Sequence, residues 1–250
     1  MLKTEIILDF PVIAEPLDAC LHHIAAGLAA GRRIGMLACL NPHSIVVSHR
    51  DAVFQEALFA ADLLVPDGVG IIAASRIGGG GIRKRITGSD IFHGVSRSLN
   101  QTGGRVFFLG STEKNLASIR LRMVQMYPNV KIAGTYSPPF KDNFSDNDNA
   151  AMVQAVNKAK PDVLWVGMTA PKQEKWAYRH RHQLDARFIG AVGAVFDFFS
   201  GNVKRSHPLF QEFGLEWLPR LLRQPGRLWK RNLISTPKFI LSIIRSLARK

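Results

Sequence analysis

In the stretch "ADLLVPDGVG" (61–70) an apolar run ends in Pro66, and the next residue is a carboxylate, Asp67, followed by two glycines. Two explanations compete for that acid. Pro-Asp-Gly is a common turn sequence, and Asp caps helices well. A carboxylate at the carboxyl end of a parallel strand also stands where a general base would, because loops and helix N-termini open a ligand crevice there. The same question applies after every other apolar run. Cys39 and Asn41 follow IGMLA, and Gly110, Ser111 and Thr112 follow RVFFL. MTAPKQE, with Lys172 and Gln173, follows DVLWVG, and GAVFDFFSG, with Asp197, follows RFIGAV. Small residues, amides and a few charges thus gather at one edge, which predicts a single site shared among several loops. "GGGGIRKRITGSD" joins a glycine loop to Arg83, Lys84 and Arg85 and then to Gly88-Ser89-Asp90 at a helix start. It suits a mobile clamp on an anionic ligand, and equally a solvated surface loop.

Other motifs compete. Gly68-Val69-Gly70-Ile71-Ile72-Ala73 matches G-x-G-x-x-A, with Asp90 further on, as a dinucleotide fingerprint would require. It belongs to the second strand rather than the first, and Asp67 would face the pyrophosphate. Asp146-Asn147-Asp148 is a D-x-D that could hold a metal on a nucleotide diphosphate, but it lies just before a helix, where Asp and Asn are expected as caps. His22-His23 and His180/His182 lack zinc spacing, and there is neither a Walker loop nor a G-x-S-x-G elbow. No metal site and no cofactor are expected.

These residues need a scaffold. Candidate strands are 34–40 (IGMLACL), 63–65, 105–109 (RVFFL), 131–135, 162–167 (DVLWVG) and 187–192 (RFIGAV), with candidate helices near 17–30, 43–60, 89–102, 113–127, 147–159 and 172–184. Such alternation predicts an α/β fold with a parallel sheet covered on both faces. The segments 78–81 and 137–149 read as loops, and no internal repeat is present.

The chain has 250 residues and a net charge of +14. That length suits one α/β domain with an appendage, and that charge predicts attraction to polyanions: nucleic acid, anionic lipid or phosphorylated substrates. From Lys204 to Lys250 eleven Lys/Arg face two Glu, so +9 of the charge lies in the last segment. Two domains are therefore expected, a core over 1–203 and a basic helical appendage over 204–250. In the appendage Leu, Trp, Phe and Ile recur at helical spacing among Arg and Lys, a composition suited to an anionic membrane surface. The alternative is a helix pair packed on the sheet with its charges solvated. Cys20 and Cys39 make no disulfide framework, which fits a reducing cytoplasm. Neither a signal peptide nor a spanning helix is expected.

Taken together, "NPHSIV", "ADLLVPDGVGII", "RITGSDIF", "RVFFLGS", "YPNVKIAGTYSPPF", "PDVLWVGMTAPKQEKW", "IGAVGAVFDFFSGNVKR" and "GLEWLPRLLRQPGRLWKR" follow one another as in the WecG/TagA/CpsF glycosyltransferases, glycosyltransferase family 26. The chain resembles that family over roughly residues 5–235. The resemblance implies a Rossmann-like core and a C-terminal appendage that docks on the membrane and completes the active site. It implies inverting, metal-independent transfer of a sugar from a UDP-sugar to a polyprenyl-diphosphate-linked saccharide, on the cytoplasmic face of the membrane, in cell-surface polysaccharide synthesis. It makes Asp67 the candidate base, and Arg220 and Arg227 the groups that neutralise the diphosphate. Candidate substrate-binding residues are Cys39, Asn41, Arg83, Gly88, Asp90, Gly110, Lys172, Gln173, Asp197 and Lys230. Cys39 stands where the family pattern has Thr, so a thiol, a weak hydrogen-bond donor, replaces a hydroxyl. Lys230 stands at an arginine position and keeps the charge without the planar fork.

Rival expectations are an NAD-dependent oxidoreductase and a non-enzymatic basic module. The apolar content of "FILSII" favours lipid over a nucleic-acid groove, so no nucleic-acid partner is expected. The transferred sugar, the acceptor saccharide and any homo-oligomer are left open by the sequence.

Overall fold

The computed structural model describes residues 2–203 and 235–247. The chain opens with an antiparallel hairpin, β1 (Thr4–Ile7) and β2 (Phe10–Ile13), followed by α1 (Leu17–Ala29). Next come β3 (Gly35–Leu40), α2 (Pro42–Ser48), α3 (Ala52–Phe59), β4 (Leu63–Pro66), α4 (Val69–Ile77) and α5 (Gly88–Thr102). The second half runs β5 (Gly104–Gly110), α6 (Glu113–Met126), β6 (Val130–Tyr136), α7 (Asp146–Ala159), β7 (Val163–Gly167), α8 (Lys172–His180), β8 (Phe188–Ala191) and α9 (Val195–Phe199). After residues 204–234 the last described helix is α10 (Thr236–Leu247).

Strands β3 to β8 make one sheet in the order β4-β3-β8-β7-β5-β6, and all its pairings are parallel. The fold is α/β and Rossmann-like, as expected. Every residue of β7 is buried, and the strand shows why the runs are continuously apolar. Val163 and Trp165 join a core with Ile24, Phe92, Phe108 and Phe196 on one face. Leu164 and Val166 join Met36, Phe107, Met152 and Trp176 on the other. A strand covered twice has no polar side to alternate with.

A third core lies beside edge strand β4 and includes Phe10, Val12, Leu40, Phe54, Leu64 and Ile71. Phe239 and Ile243 of α10 complete it, and Phe239 is only 2% exposed. One face of α10 is therefore core, while Ile240, Leu241 and Ile244 face outward. No helix among the described residues is long and apolar enough to cross a membrane.

Three elements differ from the sequence expectation. The helix expected over 43–60 is two, because Asp51 accepts a hydrogen bond from the Phe54 N–H at 3.0 Å and starts a new helix. The β1–β2 hairpin turns on Leu8 and Asp9, both at positive φ, and neither residue is a strong turn signal for that conformation. The helix expected over 172–184 ends at His180.

Candidate active site

Asp67 is fixed through its backbone. Its N–H donates to the Leu40 carbonyl at the end of β3 (2.8 Å), and the Ile86 N–H donates to the Pro66 carbonyl (2.8 Å). The turn is thereby stitched to β3 on one side and to the approach of α5 on the other. Gly68 then reverses the chain into α4 with φ of 115°, a conformation that favours glycine. Gly70 meets the neighbouring loop so closely that a Cβ there would lie 2.5 Å from Pro42 Cγ and 3.2 Å from Phe239. The Asp67 turn thus touches both the β3 loop and α10. Asp67 itself is half-buried.

Asn41 opens α2. Its Oδ1 accepts from the Ser44 N–H and Ser44 Oγ accepts from the Asn41 N–H, both at 3.0 Å, with Pro42 in the first turn. This capping box engages only the carbonyl end of the amide. One residue away, His43 Nδ1 and Ser235 Oγ are 2.8 Å apart, which clasps the return of the chain to the start of α2. Cys39, two residues before Asn41, sits among three carboxylates brought by three elements: Asp67, Glu174 and Asp90. Burial first, and then these charges, raise its thiol well above the ordinary value, partly offset by the Gly88 backbone N–H. It stays a neutral thiol, without the thiolate that a nucleophile needs.

Gly88 and Asp90 open α5. Asp90 Oδ2 accepts from the Thr87 N–H (2.8 Å) and hydroxyl (2.7 Å) in a second capping box. Arg83 is exposed and donates to the Gly80 carbonyl at 2.7 Å, while the Gly81 N–H is held by Glu5. The Arg83 guanidinium is thus engaged with carbonyls of its own loop.

At the end of β7, Gln173 and Glu174 are buried, at 5% and 4% exposure. Gln173 Nε2 donates to Glu174 Oε1 at 2.8 Å. Desolvation pushes the Glu174 carboxyl up to about 7 against the hydrogen bond from Gln173. Sequence reasoning missed Glu174, because a Glu on a helix reads as a surface residue. Lys172 turns elsewhere: its ammonium donates to the Lys141 carbonyl and lies 4.8 Å from the centroid of the Phe144 ring.

A second group stands past β5. Gly110 has φ of 119°, and a Cβ there would come within 2.4 Å of the Gly167 carbonyl oxygen. Asn115, buried in the first turn of α6, donates to Ser111 Oγ (2.6 Å) and to Asp197 Oδ1 (3.3 Å), and accepts from Asn202 at 2.7 Å. The sequence offered Asp197 but not its partner, since an Asn near a helix start reads as a cap.

The carboxyl edge of the sheet therefore gathers Asp67, Cys39, Asn41, Gly88, Asp90, Gln173 and Glu174 around β4, β3 and β7, with Gly110 and Asp197 further along. Arg220, Arg227 and Lys230 lie outside the described residues. Both flanks of their segment are placed: the Val203 N–H donates to the Asp197 carbonyl (3.1 Å), and Ser235 meets His43. Such an edge has a carboxylate able to take a proton, amides able to hold hydroxyls, and an acidic centre that calls for cations if a phosphate is to enter.

Of the D-x-D, Asp148 is occupied as a cap. It accepts from the Ser145 N–H (2.9 Å) and hydroxyl (2.8 Å), and pairs with Lys141 at 2.8 Å. Hydrogen bonds from Lys141 and Ser145 lower its carboxyl to about 2. Among the described residues no three His, Cys, Asp or Glu side chains stand together as a metal set.

Residues 6–250 match the model of the glycosyl transferase WecG/TagA/CpsF family. The chain is 28% identical over 244 residues to an N-acetylglucosaminyldiphosphoundecaprenol N-acetyl-β-D-mannosaminyltransferase of Bacillus subtilis, covering 98% of this chain and 92% of that one. It is 29% identical to the enzyme of the same name from Bacillus spizizenii, over 95% of this chain and 89% of the relative. A Staphylococcus aureus enzyme of that name is 27% identical over 82% of this chain and 78% of its own.

Proposed function

Since the chain belongs to the WecG/TagA/CpsF family and is a glycosyltransferase, we propose that it moves a hexose or N-acetylhexosamine from a UDP-sugar to a polyprenyl-diphosphate-linked saccharide, with inversion. The names of the relatives favour an N-acetylmannosaminyl group as cargo and an N-acetylglucosaminyl-diphosphoundecaprenol as acceptor. The observation that supports the proposal is the convergence of Asp67, Asn41, Cys39 and Gln173 from three strand ends on one stretch of the sheet's carboxyl edge.

Asp67 is the base. The acceptor hydroxyl oxygen attacks the anomeric carbon and its proton passes to the Asp67 carboxylate. The bond from that carbon to the diphosphate oxygen breaks, and UDP leaves. Three carboxylates around Cys39 oppose a diphosphate by simple charge, so the leaving group needs cations. Arg220 and Arg227 supply them, assisted by Lys230, with Arg83 at the mouth. Asn41, Cys39, Gln173 and the first turn of α5, Gly88 to Asp90, line the sugar side. Gly110, Asp197 and its partner Asn115 take the nucleotide side, near Lys172. No metal is used. The 204–250 appendage holds the enzyme on the anionic inner face of the cell membrane, where a lipid-linked acceptor lies. The outward Ile240, Leu241 and Ile244, beside Lys238 and Arg245, support that role.

The test is a panel of UDP-sugars offered with a short-chain polyprenyl-diphosphate N-acetylglucosamine, with products read by mass. A product heavier by one hexose or N-acetylhexosamine residue is the expected result. Absence of product from every UDP-sugar, with the protein folded, overturns the proposal.

A further inference from the structure

Two buried oxygens at the end of β7 lack what their chemistry requires. Gln173 Oε1 and Glu174 Oε2 have no hydrogen-bond partner, although both side chains are more than nine-tenths buried. Their other ends are joined, Nε2 to Oε1, at 2.8 Å. The Gln173 amide lies against Gly193 in the loop after β8: a Cβ at Gly193 would stand 3.0 Å from Gln173 Oε1 and 3.1 Å from Nε2. Gly193 has φ of 49°, so a larger residue is disfavoured there on both counts. The pair sits at the middle of the sheet edge, between the ends of β7, β8 and β3. An unsatisfied buried carbonyl costs free energy until a donor arrives, and here the protein supplies none among its described residues.

We propose that Glu174 is a positioning residue that sets which end of the Gln173 amide the crevice meets. With Glu174 ionised, its carboxylate accepts from the Gln173 NH2 group, and the Gln173 carbonyl is left to receive a donor. With a proton on Glu174, the acid O–H can donate to the Gln173 carbonyl instead. The amide then turns over and offers N–H. The ligand chemistry follows. The ionised arrangement takes a hydroxyl or an amide N–H, as on an N-acetylated sugar, and gives nothing to a phosphate oxygen, which can only accept. The inference deepens the glycosyltransferase proposal and rests on it for the identity of the ligand.

The surroundings allow Glu174 to titrate in the working range, since its carboxyl is raised to about 7 by burial. From β3 it faces the Cys39 thiol. Strands β7 and β8 bring no titratable side chain. From α3, Asp51 and Glu56 engage Lys175 (2.7 Å) and the Tyr178 hydroxyl (3.5 Å) instead. On its own helix the charged or titratable neighbours are Lys172, Lys175, Tyr178, Arg179 and His180. Asp67 and Asp90 act on Cys39 alongside it.

The experiment has two arms, each run on the full-length wild type and on Glu174→Gln, whose neutral amide can pair with Gln173 but cannot titrate. In the first, the 15N-labelled glutamine side chains are followed by NMR across pH, with Gln173 assigned by its loss in Gln173→Leu. The Gln173 NH2 resonances are expected to shift with a midpoint near 7 in the wild type and to stay still in Glu174→Gln. In the second, KM for UDP-N-acetylmannosamine is measured at pH 6 and pH 8 with the soluble acceptor. If only the ionised form binds the sugar, apparent affinity follows the ionised fraction, and KM is about tenfold lower at pH 8. Glu174→Gln is expected to lose that dependence with kcat little changed. Gln173 resonances that do not titrate, or a KM profile shared by both proteins, overturn the inference even if transfer is robust. A normal Gln173 titration in a protein that transfers from no UDP-sugar falls instead on the functional proposal.

Discussion

Replacing Glu174 by Gln should change how stability depends on pH, and the size of the change follows from burial. The wild-type carboxyl is raised from about 4.5 to about 7 because the buried site disfavours the charged form, only partly offset by the Gln173 N–H. Between those two values the folded protein holds a proton that the unfolded chain has released. Stability therefore falls as pH rises across that window, the reverse of a salt-bridged carboxylate. One pKa unit corresponds to about 1.4 kcal/mol, so full ionisation removes on the order of 3 kcal/mol. Glu174→Gln keeps the hydrogen bond from Gln173 and carries no charge, so it should show no such loss. Urea unfolding followed by circular dichroism at pH 5 and pH 8 separates the two. The variant should gain on the order of 3 kcal/mol relative to wild type between those conditions, or roughly 5–10 °C in Tm for a domain of this size. Comparing the proteins at each pH cancels every other titrating group. If their stability difference is the same at pH 5 and pH 8, the carboxyl is not raised and the physical basis given for Glu174 is wrong.

Asp67→Asn should leave the fold and UDP affinity intact while cutting turnover by about 10²- to 10⁴-fold; a lowered Tm with unchanged rate per folded molecule would make Asp67 a turn residue only. Activity should survive EDTA, because cationic side chains and helix N-termini meet the diphosphate charge; a strict Mg²⁺ or Mn²⁺ requirement would return attention to Asp146 and Asp148. Arg220→Ala and Arg227→Ala should each depress turnover on a short soluble acceptor, where membrane attachment is irrelevant, and full activity in both would reduce the appendage to an anchor. Phe239→Ala should cost about 3–5 kcal/mol of stability by emptying the core beside β4; a loss below about 1 kcal/mol would mean that α10 is not part of that core.

The inner strands were legible because burial on both faces writes itself as an unbroken apolar run, as VLWVG and RVFFL do, whereas edge strand β6 is mostly half-buried and reads as a mixed run. Their carboxyl ends, and so the rim that gathers Asp67, Asn41, Gln173 and Asp197, followed from the parallel order alone. Less could be read where tertiary contact decides. Thr4–Ile7 pairs with Phe10–Ile13 around a Leu-Asp turn that carries no glycine, so the hairpin left no local mark. The composition of the last segment suits an amphipathic helix without saying what its apolar face meets, and in α10 Phe239 and Ile243 turn inward to the core while Ile240 and Ile244 face outward. Glu174 and Asn115 escaped notice because a polar side chain on a helix looks solvated until the fold closes over it.

The clasp between His43 and Ser235, with the Val203–Asp197 bond at the opposite flank, holds the residues on either side of 204–234 at the carboxyl edge of the sheet. The described chain therefore leaves the sheet edge beside β8 and comes back to it beside β3, the neighbouring strand. If Arg220 and Arg227 serve the diphosphate as proposed, they do so as tethered groups, with an effective concentration on the order of millimolar rather than that of a separate partner. Cutting the chain without deleting a residue, by a nick between 204 and 234, would leave every side chain present and is expected to lower that concentration. Opening the clasp with His43→Ala should act in the same direction, two residues from Asn41, whose capping bonds run to Ser44 and not to the His43 side chain.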